Sequence, residues 1–315
     1  MDVKTAFLHG EIKEDVYMEQ PEGFEEKVKE NMVCKLNKSL CGLKQAPRQG
    51  FKKFESFMID QGYTKLNSDH CVFIRKFTDG DFIILLIYVD DMLIVGQDMK
   101  KITMLKKDLN KVFKMKDLGH AKQILGMHIS RDKKNGKVWL SQEEYVEKIL
   151  KRFKMEKAKP VSFPLGTQFK LYTALSPKDE HEKKEMDKVP YASAVGCLMY
   201  VMIRTRPDIA FAVGVVSRFF SNLAKNHWAA VKWILRYLRD NLKLCLCYGG
   251  GCPTIQAFTD SYMARAVDTI KSTSGYVLTY LGELSHGKQN SKVYCSLQLK
   301  LSLLQSLRVA RRCRG

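Results

Sequence analysis

The feature that most constrains this chain is a pair of adjacent aspartates set between two apolar runs. Phe82-Ile83-Ile84-Leu85-Leu86-Ile87-Tyr88-Val89 is rich in β-branched and aromatic residues, and Met92-Leu93-Ile94-Val95 resumes that character after Asp90 and Asp91. Such runs read as strands, so the pattern predicts a hairpin with the two acids at its turn. Like charges side by side repel, and drying penalises their ionisation, so the arrangement is costly unless a cation offsets it. The plain alternative is an Asp-Asp turn that binds nothing. Phe82 to Val89 is also the longest apolar run, far short of the about 20 residues with which a helix crosses a bilayer, so no membrane anchor is expected.

Around the hairpin, apolar residues recur at helical spacing. Leu105, Leu109, Val112 and Phe113 form one such set; Tyr145, Val146, Ile149, Leu150 and Phe153 form a second; Trp228, Val231, Ile234, Leu235 and Leu238 form a third. The first two sets are accompanied by lysines, which predicts basic outer faces. Pro160, Pro164, Pro177 and the charged stretch Lys178 to Lys188 loosen the pattern into a linker, and a new strand is expected around Ile255 to Thr259, after Gly249-Gly250-Gly251. At 315 residues and 45% hydrophobic content, the chain has material for two or three packed units.

Charge narrows the partners. With Lys+Arg 53 against Asp+Glu 34 the formal charge is +19, ordinary for a protein that grips a polyphosphate backbone, and the excess gathers between Lys100 and Lys159. Nine cysteines, odd in number and scattered, with no signal peptide before them, read as reduced thiols of an intracellular protein that is not secreted. Cys245, Cys247 and Cys252 lack a fourth partner at zinc-finger spacing and read as core or strand cysteines.

Three segments carry the chemistry: Met1-Asp2-Val3-Lys4-Thr5-Ala6-Phe7-Leu8-His9-Gly10; Lys35-Leu36-Asn37-Lys38-Ser39-Leu40-Cys41-Gly42-Leu43-Lys44-Gln45-Ala46-Pro47-Arg48-Gln49; and Tyr88-Val89-Asp90-Asp91-Met92-Leu93. In order and spacing they resemble three polymerase motifs of copia-type reverse transcriptases. The resemblance continues through Met115-Lys116-Asp117-Leu118-Gly119, Pro190 to Gly196, Thr205-Arg206-Pro207-Asp208-Ile209-Ala210 and His227-Trp228 to Tyr237-Leu238, and so covers nearly the whole chain up to Gly282.

The resemblance implies an RNA-directed DNA polymerase that adds deoxynucleotides to a primer 3′-hydroxyl by two-metal nucleotidyl transfer. It makes Asp2, Asp90 and Asp91 the catalytic, metal-holding carboxylates, with Mg²⁺ or Mn²⁺ as cofactor. Phe7 matches the position whose ring excludes a 2′-hydroxyl, and Gln45 one that lies against the incoming nucleotide; a core aromatic and a solvated turn glutamine are the alternatives. Implied partners are an RNA or DNA template-primer, deoxynucleoside triphosphates, and other Pol or Gag fragments. Implied locations are the cytoplasm, within a virus-like particle, or the nucleus.

The implied fold is α+β: a palm of antiparallel sheet with helices and a helical thumb over 1–165, a linker and connection region over 166–250, and the start of a ribonuclease H-like α/β domain over 251–282. Asp260, in Thr259-Asp260-Ser261, matches that domain's first metal ligand, while Tyr262 replaces an acidic position. Against the family's pattern, the fingers that precede Met1 are missing, and Cys41 and Gly50 replace aromatics. Residues 283–315 contain no acid except Glu283. Reading each codon's third base with the next codon's first two permits GAVSWKTKLQSVLLSSVEAEFIAVTE from Gly282, which resembles the missing nuclease segment. The expectation is therefore a frame-shifted tail, to be checked against the nucleotides themselves. Two functions remain open: the polymerase with a defective ribonuclease H, and a decayed, non-catalytic nucleic-acid-binding or inert product.

Overall fold

A computed structural model of the chain describes residues 1–3, 12, 14–25, 32–40, 42–169, 171, 180–220, 223–249, 254–262, 273–280 and 283–289. Phe7 and Cys41 lie outside them, as does most of the tail. The chain groups into two compact units that divide between Ala121 and Lys122, and its architecture is mixed α and β with antiparallel sheets.

In the first unit the elements run β1 (Asp2–Val3), β2 (Tyr17–Met18), β3 (Cys34–Lys35), α1 (Ala46–Asp60), β4 (Thr64–Lys65), β5 (Val72–Lys76), β6 (Phe82–Tyr88), β7 (Asp91–Gly96), α2 (Met99–Val112) and β8 (Met115–Lys116). Strands β2 and β3 pair with each other, and the remaining strands form one antiparallel sheet in the order β4-β5-β6-β7-β1-β8. The expected hairpin is β6–β7, with one refinement. Only Val89 and Asp90 make the turn, because Asp91 pairs with Tyr88 and opens β7. Alternation along strands sends Met1, Val3, Phe73, Ile83, Leu85 and Met92 into one core with Phe54 and Met58 of α1 and Ile102, Leu105 and Leu109 of α2.

Helix α1 starts with Pro47 in its first turn, where the missing N–H costs nothing, and buries Ala46, Phe54 and Met58 at fourfold spacing. Gly50 falls on that same stripe and is half-buried, so the position is not sealed from solvent. Helix α2 starts at Asp98, whose side chain accepts from the Lys100 N–H at 2.7 Å.

The second unit runs β9 (Gln123–Ile124), β10 (Met127–Asp132), β11 (Lys137–Ser141), α3 (Glu143–Arg152), α4 (Glu180–Asp187), α5 (Tyr191–Arg204), a 3₁₀ turn (Pro207–Ile209), α6 (Ala210–Val216), α7 (Lys225–Asp240), β12 (Leu246–Tyr248), β13 (Ile255–Tyr262), β14 (Thr273–Tyr280) and β15 (Glu283–Gln289). One sheet has the order β12-β11-β10-β9, and β13-β14-β15 form an antiparallel meander. Buried residues of α3, α5, α6 and α7 make a single core. Acids in the first turn of α3 (Glu143, Glu144) and bases in its last (Lys151, Arg152) complement the helix dipole.

The stretch expected as linker is more structured than its composition suggests. Residues 180–187 form α4, whose Met186 is buried. Arg239 of α7 donates to the Ala158 carbonyl, Arg236 to that of Lys159 at 2.6 Å, and Trp233 to that of Phe163 at 3.0 Å. These bonds fasten residues 158–163 to α7 although Pro160 interrupts regular structure there.

Candidate active site

Strand β1 lies between β7 and β8, and this placement defines the site. Asp2 is the Cα partner of Asp91 on one side and of Lys116 on the other. The Val3 N–H donates to the Asp90 carbonyl and the Met92 N–H to the Met1 carbonyl, both at 2.8 Å. These bonds flank Asp2 and Asp91, so the two form a non-hydrogen-bonded pair, whose side chains approach more closely than those of a bonded pair. Because Val3 and Met92 are buried, Asp2 and Asp91 project from the opposite face of the sheet.

Asp90 stands at the hairpin tip, exposed, beside Val89 at φ +55°. A β-branched residue in the left-handed region is strained by about 1–2 kcal/mol. The two-residue connection imposes this conformation, since tight hairpins need positive φ in their loop. Partial drying, then the charge of Asp2, then that of Asp91 hold the Asp90 carboxyl above the ordinary aspartate range. All three carboxylates therefore share one electrostatic neighbourhood.

Among the described residues no group of three or more His, Cys, Asp or Glu side chains is gathered closely enough to hold a metal ion. Chemically the donors suit one. Carboxylate oxygens are the ligands that Mg²⁺ prefers, and mutual repulsion of the three charges is what a divalent cation relieves.

The other sequence-derived positions lie elsewhere. Gln45 precedes α1, and its Nε2 donates to Glu14 Oε2 at 3.4 Å; no contact among the described residues joins it to the aspartates. Asp260 lies within β13, opposite Gly275 of β14. Cys247 lies on β12 opposite Trp139, and Cys245 and Cys247 are half-buried and in no disulfide. No helix among the described residues is long and apolar enough to cross a membrane.

Sequence reading missed what anchors β8. The Lys106 ammonium binds both oxygens of Asp117 at 2.9 Å, and Asp117 also accepts from the Gly119 N–H at 2.9 Å. Lys106, then that backbone bond, lower the Asp117 carboxyl below its usual range. It also missed an ion pair in the second unit between a buried arginine and a partly exposed aspartate. Arg206, 2% exposed, binds Asp208 through Nε at 2.9 Å and Nη2 at 2.7 Å, and donates to the Asn241 carbonyl at 2.8 Å. Tyr237 donates to the same Asp208 at 2.8 Å, and Thr205 to Gln142 at the start of α3, also at 2.8 Å.

Comparison with known proteins places these features in context. A family model described as reverse transcriptase (RNA-dependent DNA polymerase) matches residues 1–167. The chain is 59% identical over 282 residues, 90% of its own length, to the retrovirus-related Pol polyprotein from transposon TNT 1-94 of Nicotiana tabacum, and 36% identical over 286 residues to that from transposon RE1 of Arabidopsis thaliana. It spans only 21% and 19% of those polyproteins. A putative transposon Ty5-1 protein of Saccharomyces cerevisiae is 32% identical, and 89% of it is covered.

Proposed function

As a member of the copia-type reverse transcriptase family of retrotransposon Pol polyproteins, the chain has a stated chemistry to be tested, and we propose that it is an RNA-directed DNA polymerase using Asp2, Asp90 and Asp91. The observation that carries the reading is the pairing of Asp2 with Asp91 across adjacent strands, with Asp90 next in sequence at the tip. Opposed side chains on adjacent strands stand about 5 Å apart at Cβ, a separation that converging carboxylate ligands can bridge.

Divalent cations, when bound, lower the pKa of the primer 3′-hydroxyl and neutralise charge on the pyrophosphate leaving group. The residues here orient the reaction. Asp2 and Asp91 sit on paired strands whose register cannot slip without moving Val3 and Met92 out of the core. The 3′ oxygen gives up its proton to solvent and forms a bond to the α-phosphorus while the bond from that phosphorus to the bridging oxygen breaks, and pyrophosphate leaves. Phe7 and Gln45 belong to the same proposal, as the sugar-discriminating ring and a nucleotide contact. So does the division into palm and thumb (1–165), connection (166–250) and ribonuclease H remnant (251–282). Template-primer binding draws on the basic surface. Extension of a DNA primer on an RNA template, with Asp90→Asn/Asp91→Asn as control, tests the reading.

The ribonuclease H remnant is proposed to be defective. Two-metal hydrolysis needs several converging carboxylates, whereas residues 251–315 offer only Asp260, Asp268 and Glu283. The ungathered carboxylates of the polymerase site favour one further reading, a nucleic-acid binder without catalysis. Metal-independent binding with no extension is its signature.

A further inference from the structure

We infer that Lys116 is a phosphate-contacting residue of the aspartate site, an inference that rests on the polymerase reading. Four residues stand in one row across the sheet: Tyr88 pairs with Asp91, Asp91 with Asp2, and Asp2 with Lys116. Directly paired residues share a face, so Lys116 projects on the same side as the carboxylates, while its neighbour Met115 packs against the core.

Two further facts give the ammonium a ligand-binding role. Lys116 is exposed and its ammonium makes no ion pair or hydrogen bond with the described residues, whereas Lys101, Lys106 and Lys111 of the neighbouring helix are engaged by Asp79 and Asp81, Asp117 and Asp108. The strand that presents it is also held in place, because Asp117, its next neighbour, is bound by Lys106 and by the Gly119 N–H. A row of carboxylates repels a phosphorylated substrate, and a cation at the end of that row attracts it. Lysine serves as a mobile point charge with three donors, suited to a phosphate oxygen that shifts during reaction.

The phosphate belongs either to the triphosphate of the incoming nucleotide or to the phosphodiester of the primer strand. Fluorescence anisotropy with a labelled primer–template carrying a dideoxy-terminated primer separates them. One arm measures primer–template affinity and its salt slope; the other measures how far the next deoxynucleoside triphosphate, with Mg²⁺, tightens the complex. Lys116→Gln is expected to weaken one arm roughly tenfold, the worth of one charge-assisted hydrogen bond. Lys116→Arg should recover most of the loss, and Lys114→Gln, an exposed lysine outside the ladder, should change neither arm by more than about twofold. A loss in the nucleotide arm assigns the triphosphate, and a loss in the first arm with a shallower salt slope assigns the phosphodiester. If Lys116→Gln melts well below the parent, Lys116→Met, which keeps the stem, is read in its place. Wild-type affinity of the substituted chain on both arms overturns the inference and leaves the polymerase reading standing. Failure of the unsubstituted chain to bind on either arm overturns both.

Discussion

Asp2 lies directly opposite Asp91 in a non-hydrogen-bonded pair of the β1–β7 ladder, 89 positions apart in sequence. Together with Asp90 they concentrate negative charge beside the hairpin tip, on a sheet whose other face is packed. That concentration has measurable consequences.

The first concerns pH. Asp90 is raised by drying, then by Asp2 and Asp91, so the folded state holds its proton more tightly than the unfolded chain. Stability is therefore lost as pH rises from the ordinary aspartate value through the raised folded one, and the loss persists at neutrality. Asp90→Asn should melt slightly higher than the parent at pH 7, with the difference vanishing below about pH 3.9. Thermal unfolding across pH checks this; an equal or lower melting point at pH 7 contradicts it.

The opposite sign is expected at Asp117, where Lys106 and the Gly119 N–H lower the carboxyl. Its contribution is present above the ordinary aspartate pKa and disappears as pH falls through the lowered one. Asp117→Asn should cost no more than about 1 kcal/mol at pH 7, because the carboxyl is nearly half exposed. Denaturant titration at pH 7 and at pH 3 measures both limits.

Backbone strain gives a third expectation. Val89 holds φ +55° in a two-residue turn and its side chain is 54% exposed, so it loses little packing when replaced. Val89→Asn, which tolerates that conformation, should raise stability by up to about 1 kcal/mol, and a drop of that size would show that the strain is not there.

In the second unit, Arg206→Ala removes the partner of Asp208 and leaves the Asn241 carbonyl and the Tyr237–Asp208 contact unsupported. Arg206 is buried but the Asp208 side chain is about a third exposed, so breaking the pair from one side is expected to cost about 1–3 kcal/mol. A substitution that shifts the unfolding free energy by less than about 1 kcal/mol would mean the pair is replaceable by water.

Much of the first unit was legible in the sequence because its signals are local. The hairpin follows from two apolar runs split by acids, and α2, α3 and α7 follow from apolar residues at helical spacing. Helix α5 was invisible to periodicity because, although Tyr191, Ala194, Val195, Leu198, Val201 and Met202 form one buried stripe, the other faces carry Ala192, Gly196, Cys197, Met199, Tyr200 and Ile203 and so give no polar contrast. Helix α4 was hidden for the reverse reason: seven of its eight residues are polar, and Met186 alone ties it to the interior.

The site divides in the same way. Asp90 and Asp91 announce themselves as a pair, and Asp2 is recognised through its motif. That Asp2 sits between Asp91 and Lys116 depends on which strands become neighbours, and strand order is set by the packed core. Arg206 and Asp208 are separated by one proline, so their contact is local, but the burial of Arg206 depends on the distant α7, whose Tyr237 binds Asp208 and whose end presents the Asn241 carbonyl to Arg206.

Primer extension decides whether Asp2, Asp90 and Asp91 act together in nucleotide transfer. Purified chain is incubated with a DNA primer on an RNA template, deoxynucleoside triphosphates and Mg²⁺, beside Asp2→Asn and Asp90→Asn/Asp91→Asn. Template-directed extension is expected that requires the metal and falls by at least about a hundredfold in each aspartate variant, the loss expected when charge stabilisation at the reacting phosphate is removed. Extension that persists in the aspartate variants, or its absence from the unsubstituted chain while primer–template still binds, would contradict that role.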